Sequence, residues 1–218
     1  MAKTIIEDLK PSDEELKTIL DGYYGYNSNY PEGLYVADST GQLITASEST
    51  KKESDVTNST WYKEGLTRVN MAVGSAYQNA DGVNVISASG ILNDGSDKVR
   101  VISADMTLDR IAIIVNSFIE MNDAEAFLVD KTSGVILANR DSSLISQTLG
   151  AEGQSHFYQL TAEKAAEKDY NFATLDGNMT VFQEVDGTNW LLISYIPTSI
   201  VLSDLTQLRN IMIVISVI

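Results

Sequence analysis

The strongest constraint on the fold is a hairpin pattern that occurs twice in the chain. Residues 34–47 read LYVADSTGQLITAS, and residues 126–141 read AFLVDKTSGVILANRD. Each segment is a β-rich run, an Asp-initiated turn that contains Gly, and a second β-rich run, which is the pattern of a β-hairpin. Asp130 follows Asp38 by 92 residues. A hairpin repeated at this spacing indicates an internal duplication.

Each hairpin is followed by a helical run and then by three further β-rich runs. Turns rich in Asn, Asp and Gly separate these runs, which predicts two antiparallel meanders. The dipeptide Ile-Ser occurs in the last run of both sets, at residues 102–103 and, 91 residues later, at residues 193–194. The predicted runs are Val69–Tyr77, Val83–Leu92 and Lys98–Met106, then Tyr170–Leu175, Met179–Val185 and Asn189–Ile196. Two sheets of about five strands with flanking helices predict the α+β class.

Both ends of the chain are predicted to be helical. Apolar spacing predicts a long N-terminal helix over Lys3–Tyr24, with a break near Lys10–Ser12, where Pro11 precedes a capping Ser and acidic residues. At the other end, Asn210–Ile218 is apolar and uncharged, but a bilayer span needs roughly 20 such residues. This run is either a buried helix end or the start of a truncated transmembrane helix, and the flanking Arg209 favours the second interpretation.

Composition excludes several classes of function. The net charge of −15 argues against nucleic acid and against anionic lipid head groups, because both need clustered Lys and Arg. The chain has no Cys and one His, so thiolate catalysis and multi-His metal sites are excluded. The acidic turns lack the spacing of a calcium loop, and no nucleophile-elbow or phosphate-loop motif is present. We therefore expect no metal, no cofactor and no catalytic residues.

A candidate ligand site lies in the stretch from Trp61 to Asp105. Trp61 precedes the first meander, Tyr77 ends its first run, and Asp105 ends its last. At the rims of a small sheet these side chains would give an aromatic wall and one carboxylate, which suits a small ligand with a cationic or donor-rich end. Asn79 and Ser103 are their neighbours and weaker candidates.

Each of these residues also has a structural interpretation. Trp61 and Tyr77 could serve only to pack the core. Asp105 could instead cap the helix that is predicted to begin near Thr107, because Asp is favoured at helix N-termini. The sequence leaves both interpretations open.

The order of these segments resembles the double Cache sensor domain, an extracytoplasmic module of bacterial chemoreceptors, histidine kinases and diguanylate cyclases. The likeness rests on the paired hairpins, on Trp61-Tyr62 after the first hairpin, and on RVISADMTLDRI at residues 100–111. It covers nearly the whole chain. It implies two tandem PAS-like units, with the ligand bound mainly in the first, membrane-distal one, and it implies a sensor rather than an enzyme.

The resemblance also implies roles for the candidate residues. A common amino-acid-binding subset of the family uses an Arg two residues before the Trp, the Trp, a Tyr in the next strand, and an Asp at the end of the meander. Trp61, Tyr77 and Asp105 match, but Ser59 stands at the Arg position. The bidentate carboxylate clamp is therefore absent. An amine, an amino-acid-like compound or another small polar metabolite remains possible, and Lys63 or Arg68 could replace the missing charge.

The resemblance further predicts how the chain is organised. We expect a scaffold helix and loop over residues 1–32, the ligand-binding unit over 33–123, a membrane-proximal unit over 124–197, and an exit helix over 198–218 that runs into a transmembrane segment. The implied function is ligand sensing in a methyl-accepting chemotaxis protein or another receptor, homodimeric and held in the cell membrane by its flanking helices. The alternative is a ligand-free structural or interaction module that senses a binding protein.

Overall fold

The computed structural model describes residues 2–117 and 123–203. The chain separates into two compact units, Met1–Arg110 and Ile111–Ile218, which we call unit one and unit two. Each unit contains one five-stranded sheet. The division into segments 1–32, 33–123, 124–197 and 198–218 stays a prediction.

The two sheets have the same strand order. Sheet one runs β2-β1-β5-β4-β3, and sheet two runs β7-β6-β10-β9-β8, with every pairing antiparallel. This confirms the predicted α+β class of two five-stranded sheets with flanking helices. The strands of sheet one are β1 Tyr35–Asp38, β2 Leu43–Ile44, β3 Ala72–Gln78, β4 Asn84–Leu92 and β5 Arg100–Thr107. Those of sheet two are β6 Glu125–Asp130, β7 Ile136–Ala138, β8 Ala173–Leu175, β9 Asn178–Val185 and β10 Trp190–Pro197.

The helices are short. Within the described residues they are α1 Ala2–Leu9, α2 Asp13–Asp21, α3 Thr60–Gly65, α4 Leu108–Ser117 and α5 His156–Ala166, with 3₁₀ turns at Val56–Asn58 and Ser142–Leu144. Residues 198–203 are also helical, and the rest of the predicted exit helix and transmembrane run, 204–218, lies outside the described residues. No helix formed by residues 2–117 or 123–203 is long and apolar enough to cross a membrane.

The long N-terminal helix is a wrong prediction, although its break was predicted correctly. Lys10 precedes Pro11, which disfavours the right-handed helical region for the residue before it, and Lys10 lies outside that region with a φ of 48°. Ser12 then caps a new helix: its hydroxyl accepts from the backbone of Glu15, and the Glu15 side chain accepts from the backbone of Ser12. This capping box begins α2 as a separate helix from α1.

Strand pairing also corrects the register of the duplication. Tyr35 pairs with Ser103 in unit one, and Phe127 pairs with Ile193 in unit two. Corresponding residues of the hairpin strands β1 and β6 are thus 92 positions apart in the chain, but those of β5 and β10 are 90 apart. Ser103 therefore corresponds to Ile193 and not to Ser194. A shift of one residue matters because it exchanges the two faces of a strand.

The sheet of unit one has two differently covered faces. One face packs against α1 and α2 through an apolar cluster: Ile6, Leu16, Leu20, Leu34, Val36, Ile44, Ala46, Leu92, Ile102 and Ala104. The other face lies under the segment that contains the first 3₁₀ turn and α3, and its cluster is Tyr35, Ala37, Val56, Trp61, Tyr62 and Val101. The candidate site belongs to this second face.

Candidate functional site

Polar side chains line the second face of the two central strands of unit one. Register places Ser87 opposite Asp105 and Ser89 opposite Ser103. The three serines are at most 1% exposed. Because side chains alternate along a strand, the residues between them point to the apolar helix-covered face. Serines and a carboxylate are costly to bury without partners, so this polar face of unit one is the candidate site.

Asp105 is the centre of a dense hydrogen-bond cluster. Its Oδ1 accepts from the hydroxyls of Tyr35, Ser87 (2.5 Å) and Tyr77 (3.5 Å). Its Oδ2 accepts from Lys51 Nζ at 2.6 Å. The side chains of Lys51 and Asp105 are only 6% and 12% exposed. Both oxygens of the carboxylate therefore have hydrogen-bond partners, and the contact with the Lys51 ammonium is charge-assisted.

The two tyrosines act as hydrogen-bond donors to this carboxylate. Burial, followed by the nearby charge of Asp105, raises the pKa of Tyr35 well above its ordinary value. The same two causes raise the pKa of Tyr77. Both phenols therefore stay protonated throughout the physiological range. Tyr77 also exchanges a hydrogen bond with Ser87 at 2.8 Å, which links the rim of β3 to the centre of the sheet.

Lys51 is the functional candidate that the sequence reasoning missed. It lies in the polar loop before α3, 54 residues from its carboxylate partner in the chain. Its Nζ sits 4.2 Å from the centroid of the Tyr35 ring, so it makes a cation–π contact as well as an ion pair. The neighbouring Lys52 is exposed. No local pattern distinguishes these two lysines, so only the fold could find the right one.

Trp61 forms the buried wall behind this cluster. It is fully buried and packs edge-to-face on Tyr35 at 4.8 Å and on Tyr62 at 5.7 Å. Its indole Nε1 is buried and has no hydrogen-bond partner among the described residues. Leaving such a donor unpaired costs about 1–3 kcal/mol. The core interpretation and the ligand interpretation of Trp61 are thus both compatible with its position.

The weaker candidates hold the surrounding backbone. The Ser59 hydroxyl donates to the carbonyl of Val56 at 2.6 Å, at the entry to α3. The Asn79 side chain accepts from backbone N–H groups two and four residues later and so fixes the β3–β4 turn. Ser103 donates to the carbonyl of Ala88 at 3.2 Å. The structure thus brings Tyr77 and Asp105 into contact and places Trp61 behind them. Ser59, Asn79 and Ser103 instead make local hydrogen bonds to nearby backbone groups.

The two cations considered as substitutes for the missing Arg behave differently. Lys63 is exposed on α3. Arg68 pairs with Glu64 at 3.3 Å and reaches the hydroxyl of Ser89 at 3.4 Å. Arg68 therefore approaches the polar face near Ser89 and Ser103, whereas Lys51 contacts the carboxylate of Asp105 directly.

The corresponding face of unit two is aromatic. Phe127 stands where unit one has Tyr35, and Tyr195 stands where it has Asp105. Phe157 of α5 contacts the rings of Phe127 at 6.4 Å and Tyr195 at 4.5 Å. The Tyr195 hydroxyl donates to Glu125 at 2.5 Å. Rings fill this face in unit two, so the polar cluster distinguishes unit one.

No group of three or more acidic, His or Cys side chains within residues 2–117 and 123–203 is arranged to hold a metal ion. The unit-one cluster offers groups of both charges. A carboxylate, an ammonium and phenolic hydroxyls lie within one small volume. These groups can exchange partners with a small ligand that carries charges of its own.

Comparison with known proteins gives the family. The sequence matches the Cache domain family over residues 2–205. No curated protein matches the chain.

Three solved structures illustrate how widely the fold is shared. The ligand-binding domain of the amino acid chemoreceptor PctB of Pseudomonas aeruginosa PAO1, in complex with L-Arg, is 19% identical, with a TM-score of 0.65 over 95% of this chain and 84% of that one. The ligand-binding domain of Mlp24 with asparagine is 17% identical, with a TM-score of 0.64 over 91% and 81%. The extracellular domain of the putative histidine kinase mmHK1S-Z3 is 14% identical, with a TM-score of 0.69 over 95% and 88%. At these identities the likeness shows the fold, and the family match over nearly the whole length assigns the chain to the Cache domain family, as a sensor domain and not an enzyme.

Proposed function

We propose that this chain is the extracytoplasmic ligand-sensing domain of a transmembrane receptor of the methyl-accepting chemotaxis type, and that it binds a small zwitterionic metabolite in unit one. Unit one is the membrane-distal unit in this proposal. A conformational change passes through unit two to the C-terminal helix, and the intact receptor is a homodimer anchored by its flanking helices. The Cache family match and the contrast between the polar face of unit one and the aromatic face of unit two support it.

The Lys51–Asp105 pair carries the proposal, because it sets the charge of the ligand. A simple amine that binds Asp105 has to displace Lys51 and leave that ammonium unpaired in a site where it is 6% exposed. A simple carboxylate that binds Lys51 leaves Asp105 unpaired in the same way. Uncompensated buried charges of this kind are strongly unfavourable. Neither ligand exchanges favourably with the pair.

A ligand that carries both charges avoids this cost. Its carboxylate takes the ammonium of Lys51, its ammonium takes the carboxylate of Asp105, and every charge stays paired. Lys51 thereby does the work of the Arg that Ser59 replaces, from a different part of the chain. Solved relatives of similar fold hold asparagine, L-Arg and GABA, which are all amino acids. An α- or ω-amino acid is therefore the ligand class we infer for unit one.

The remaining site residues have supporting roles in this proposal. Tyr35 and Tyr77 hold Asp105 in place while its partner changes. Trp61 forms the wall, and its unpaired indole N–H is a donor for a ligand oxygen. Asn79, Ser59 and Ser103 keep the turn, the helix entry and the sheet in position. Exchange of Lys51 between Asp105 and the ligand moves the loop before α3, which gives the two states that a signal requires.

Calorimetric titration of the chain tests the proposal. The probes are amino acids, each compared with the amine that lacks the carboxylate and with the acid that lacks the amine. We expect saturable binding for an amino acid and at least about tenfold weaker binding for both truncated compounds, as the loss of a charge-assisted contact implies. The variants are Lys51→Gln and Asp105→Asn, and the matched control is Lys52→Gln, which changes an exposed lysine one residue away.

The variants should give a reciprocal result. Lys51→Gln weakens the amino acid but strengthens the amine, because Asp105 loses its competing ammonium. Asp105→Asn weakens both. Binding of an amino acid that is unchanged in Lys51→Gln, or a Lys52→Gln effect of equal size, contradicts the proposed role of the pair.

One observation favours the alternative of a ligand-free module that senses a binding protein. The charges of Lys51 and Asp105 already satisfy each other, and both side chains are nearly buried. Under this alternative the cluster only stabilises the fold. The discriminating result is the absence of saturable binding for every compound class in the wild-type chain, together with a loss of stability in Lys51→Gln.

A further inference from the structure

Unit two contains a cavity of about 380 Å³ between the β6–β7 turn and the C-terminal half of α5. Its walls include the polar turn residues Asp130, Lys131, Thr132 and Ser133 and an apolar and aromatic set: Leu149, Ala162, Ala165, Tyr170 and Leu191. The volume lies within the usual range for small-molecule sites. The residues that line the cavity all belong to unit two, whereas the polar cluster belongs to unit one, so the proposed function does not use the cavity.

Asp130 is the one acidic side chain that lines this cavity. It is 3% exposed. Its Oδ1 is fully used, because it accepts from the backbone of Thr132 and from the backbone and hydroxyl of Ser133. Its Oδ2 receives no hydrogen bond or ion pair from residues 2–117 or 123–203. The carboxylate is thus nearly buried, and its second oxygen is accessible and without a partner among the described residues, whereas charges in such places are normally paired.

The duplication shows what this oxygen lacks. Asp38 holds the corresponding turn of unit one, with its Oδ1 bound to Thr40 and Gln42. Its Oδ2, however, accepts from Lys98 Nζ at 2.6 Å. In unit one a lysine ammonium thus pairs with Asp38 Oδ2, whereas the corresponding oxygen of Asp130 in unit two has no such partner among the described residues.

The loops explain why unit two has no such lysine. Backbone bonds from Ser39 to Val99 and from Lys131 to Asn189 align the two loops, so the place of Lys98 falls on Thr188. The β9–β10 loop, residues 186–189, is also shorter than the β4–β5 loop, residues 93–99. The adjacent Lys131 does not substitute, because its Nζ pairs with Glu184 at 2.6 Å.

We propose that this cavity of unit two binds a small organic amine, with its ammonium on Asp130 Oδ2 in the place that Lys98 Nζ occupies in unit one. The alkyl part of the amine packs against Leu149, Leu191 and Ala162, and the ring of Tyr170 lines the same cavity. One carboxylate beside apolar walls suits an organic ammonium, since the lining Lys131 is already paired with Glu184, whereas a metal ion needs several oxygen ligands. The net charge of −15 attracts cations of this kind to the chain.

Titration of the chain with n-butylammonium chloride, followed by amide NMR, tests the proposal. We expect saturable shifts in unit two for n-butylammonium and none for n-butanol, which has a similar shape and no charge. Asp130→Asn should weaken binding at least about tenfold, since it removes the charge and keeps the Oδ1 acceptor that holds the turn. The matched control, Asp186→Asn, makes the same chemical change at an exposed turn residue and should bind as the wild type does.

Two further variants complete the test. Asp105→Asn should leave these unit-two shifts unchanged, which separates this site from the amino acid site of unit one. Thr188→Lys should supply the missing ammonium within the chain and abolish n-butylammonium binding, and it serves as the deciding variant if Asp130→Asn does not fold. The proposal is overturned by an absence of saturable binding in the wild type, by equal shifts with n-butanol, by undiminished binding in Asp130→Asn, or by binding retained in Thr188→Lys.

Discussion

Replacing Lys51 by Met should destabilise unit one by an amount that follows from the contacts of its ammonium. The substitution removes a 2.6 Å contact to Asp105 and a cation at 4.2 Å from the Tyr35 ring, and it keeps most of the side-chain volume. A hydrogen bond to a charged group contributes about 1.5–3 kcal/mol. A largely desolvated cation–π contact adds about 0.5–2 kcal/mol. Since Asp105 keeps its hydroxyl donors, we expect a loss of about 2–4 kcal/mol rather than the largest values seen for broken buried pairs.

Urea unfolding followed by tryptophan fluorescence measures this loss. The chain has two Trp residues, Trp61 in unit one and Trp190 in unit two. A Trp190→Phe background leaves Trp61, which packs on Tyr35 beside the pair, as the reporter of unit one. With a slope of about 2 kcal/mol per M, the midpoint should fall by about 1–2 M.

A double-mutant cycle separates the pair from its surroundings. Lys51→Met combined with Asp105→Asn should lose less than the sum of the single losses, with a coupling of about 1–3 kcal/mol. Lys52→Met is the matched control and should stay within about 0.5 kcal/mol of wild type, as surface substitutions do. Equal midpoints for Lys51→Met and Lys52→Met, or strictly additive losses in the cycle, contradict a stabilising interaction between Lys51 and Asp105.

Two other features of the structure give predictions of their own. Burial opposes ionisation of Asp38, but hydrogen bonds from Lys98 and the turn outweigh it and lower its pKa to about 2. The stabilisation from this carboxylate is therefore complete above its unfolded pKa of about 4 and is lost as the pH falls towards 2. In the wild type this change in the free energy of unfolding is on the order of 2 kcal/mol. Lys98→Met should reduce the pH dependence of unfolding in this window. Separately, Ser12→Ala removes the capping box of α2 and should cost about 1 kcal/mol in thermal unfolding, whereas Ser12→Asp should cost much less, and equal losses for the two variants would contradict the capping argument.

The sheet architecture was predictable because its determinants are local. Alternating β-rich runs and turns containing Asp and Gly specify hairpins within a few residues, and antiparallel meanders follow from consecutive hairpins. The N-terminal error has the opposite cause. Apolar spacing continues on both sides of Pro11, and a periodic pattern does not show that the intervening backbone leaves the helix.

The candidate site was predictable only in part, for a related reason. Tyr77 and Asp105 lie at strand ends, and the predicted meander brings such ends together. Lys51 comes from a loop without regular structure, and its long side chain can reach many places from there. No spacing rule relates residues that are 54 positions apart in the chain. Lys51, the cation that pairs with Asp105, was therefore not a candidate.

The corrected register explains how one duplicated sheet gives two chemically different units. Three positions on the same face are exchanged between unit one and unit two: Tyr35 for Phe127, Ser103 for Ile193, and Asp105 for Tyr195. The first two exchanges remove hydroxyl groups from the face, and the third replaces a carboxylate by a ring. Because rings and methyl groups pack without partners, unit two closes this face as core, whereas unit one must satisfy a charge there and does so with Lys51. Among the described residues of unit two, the buried acid is Asp130, which lies at the hairpin turn, so the cation site that we propose for unit two lies at that turn rather than on the sheet face.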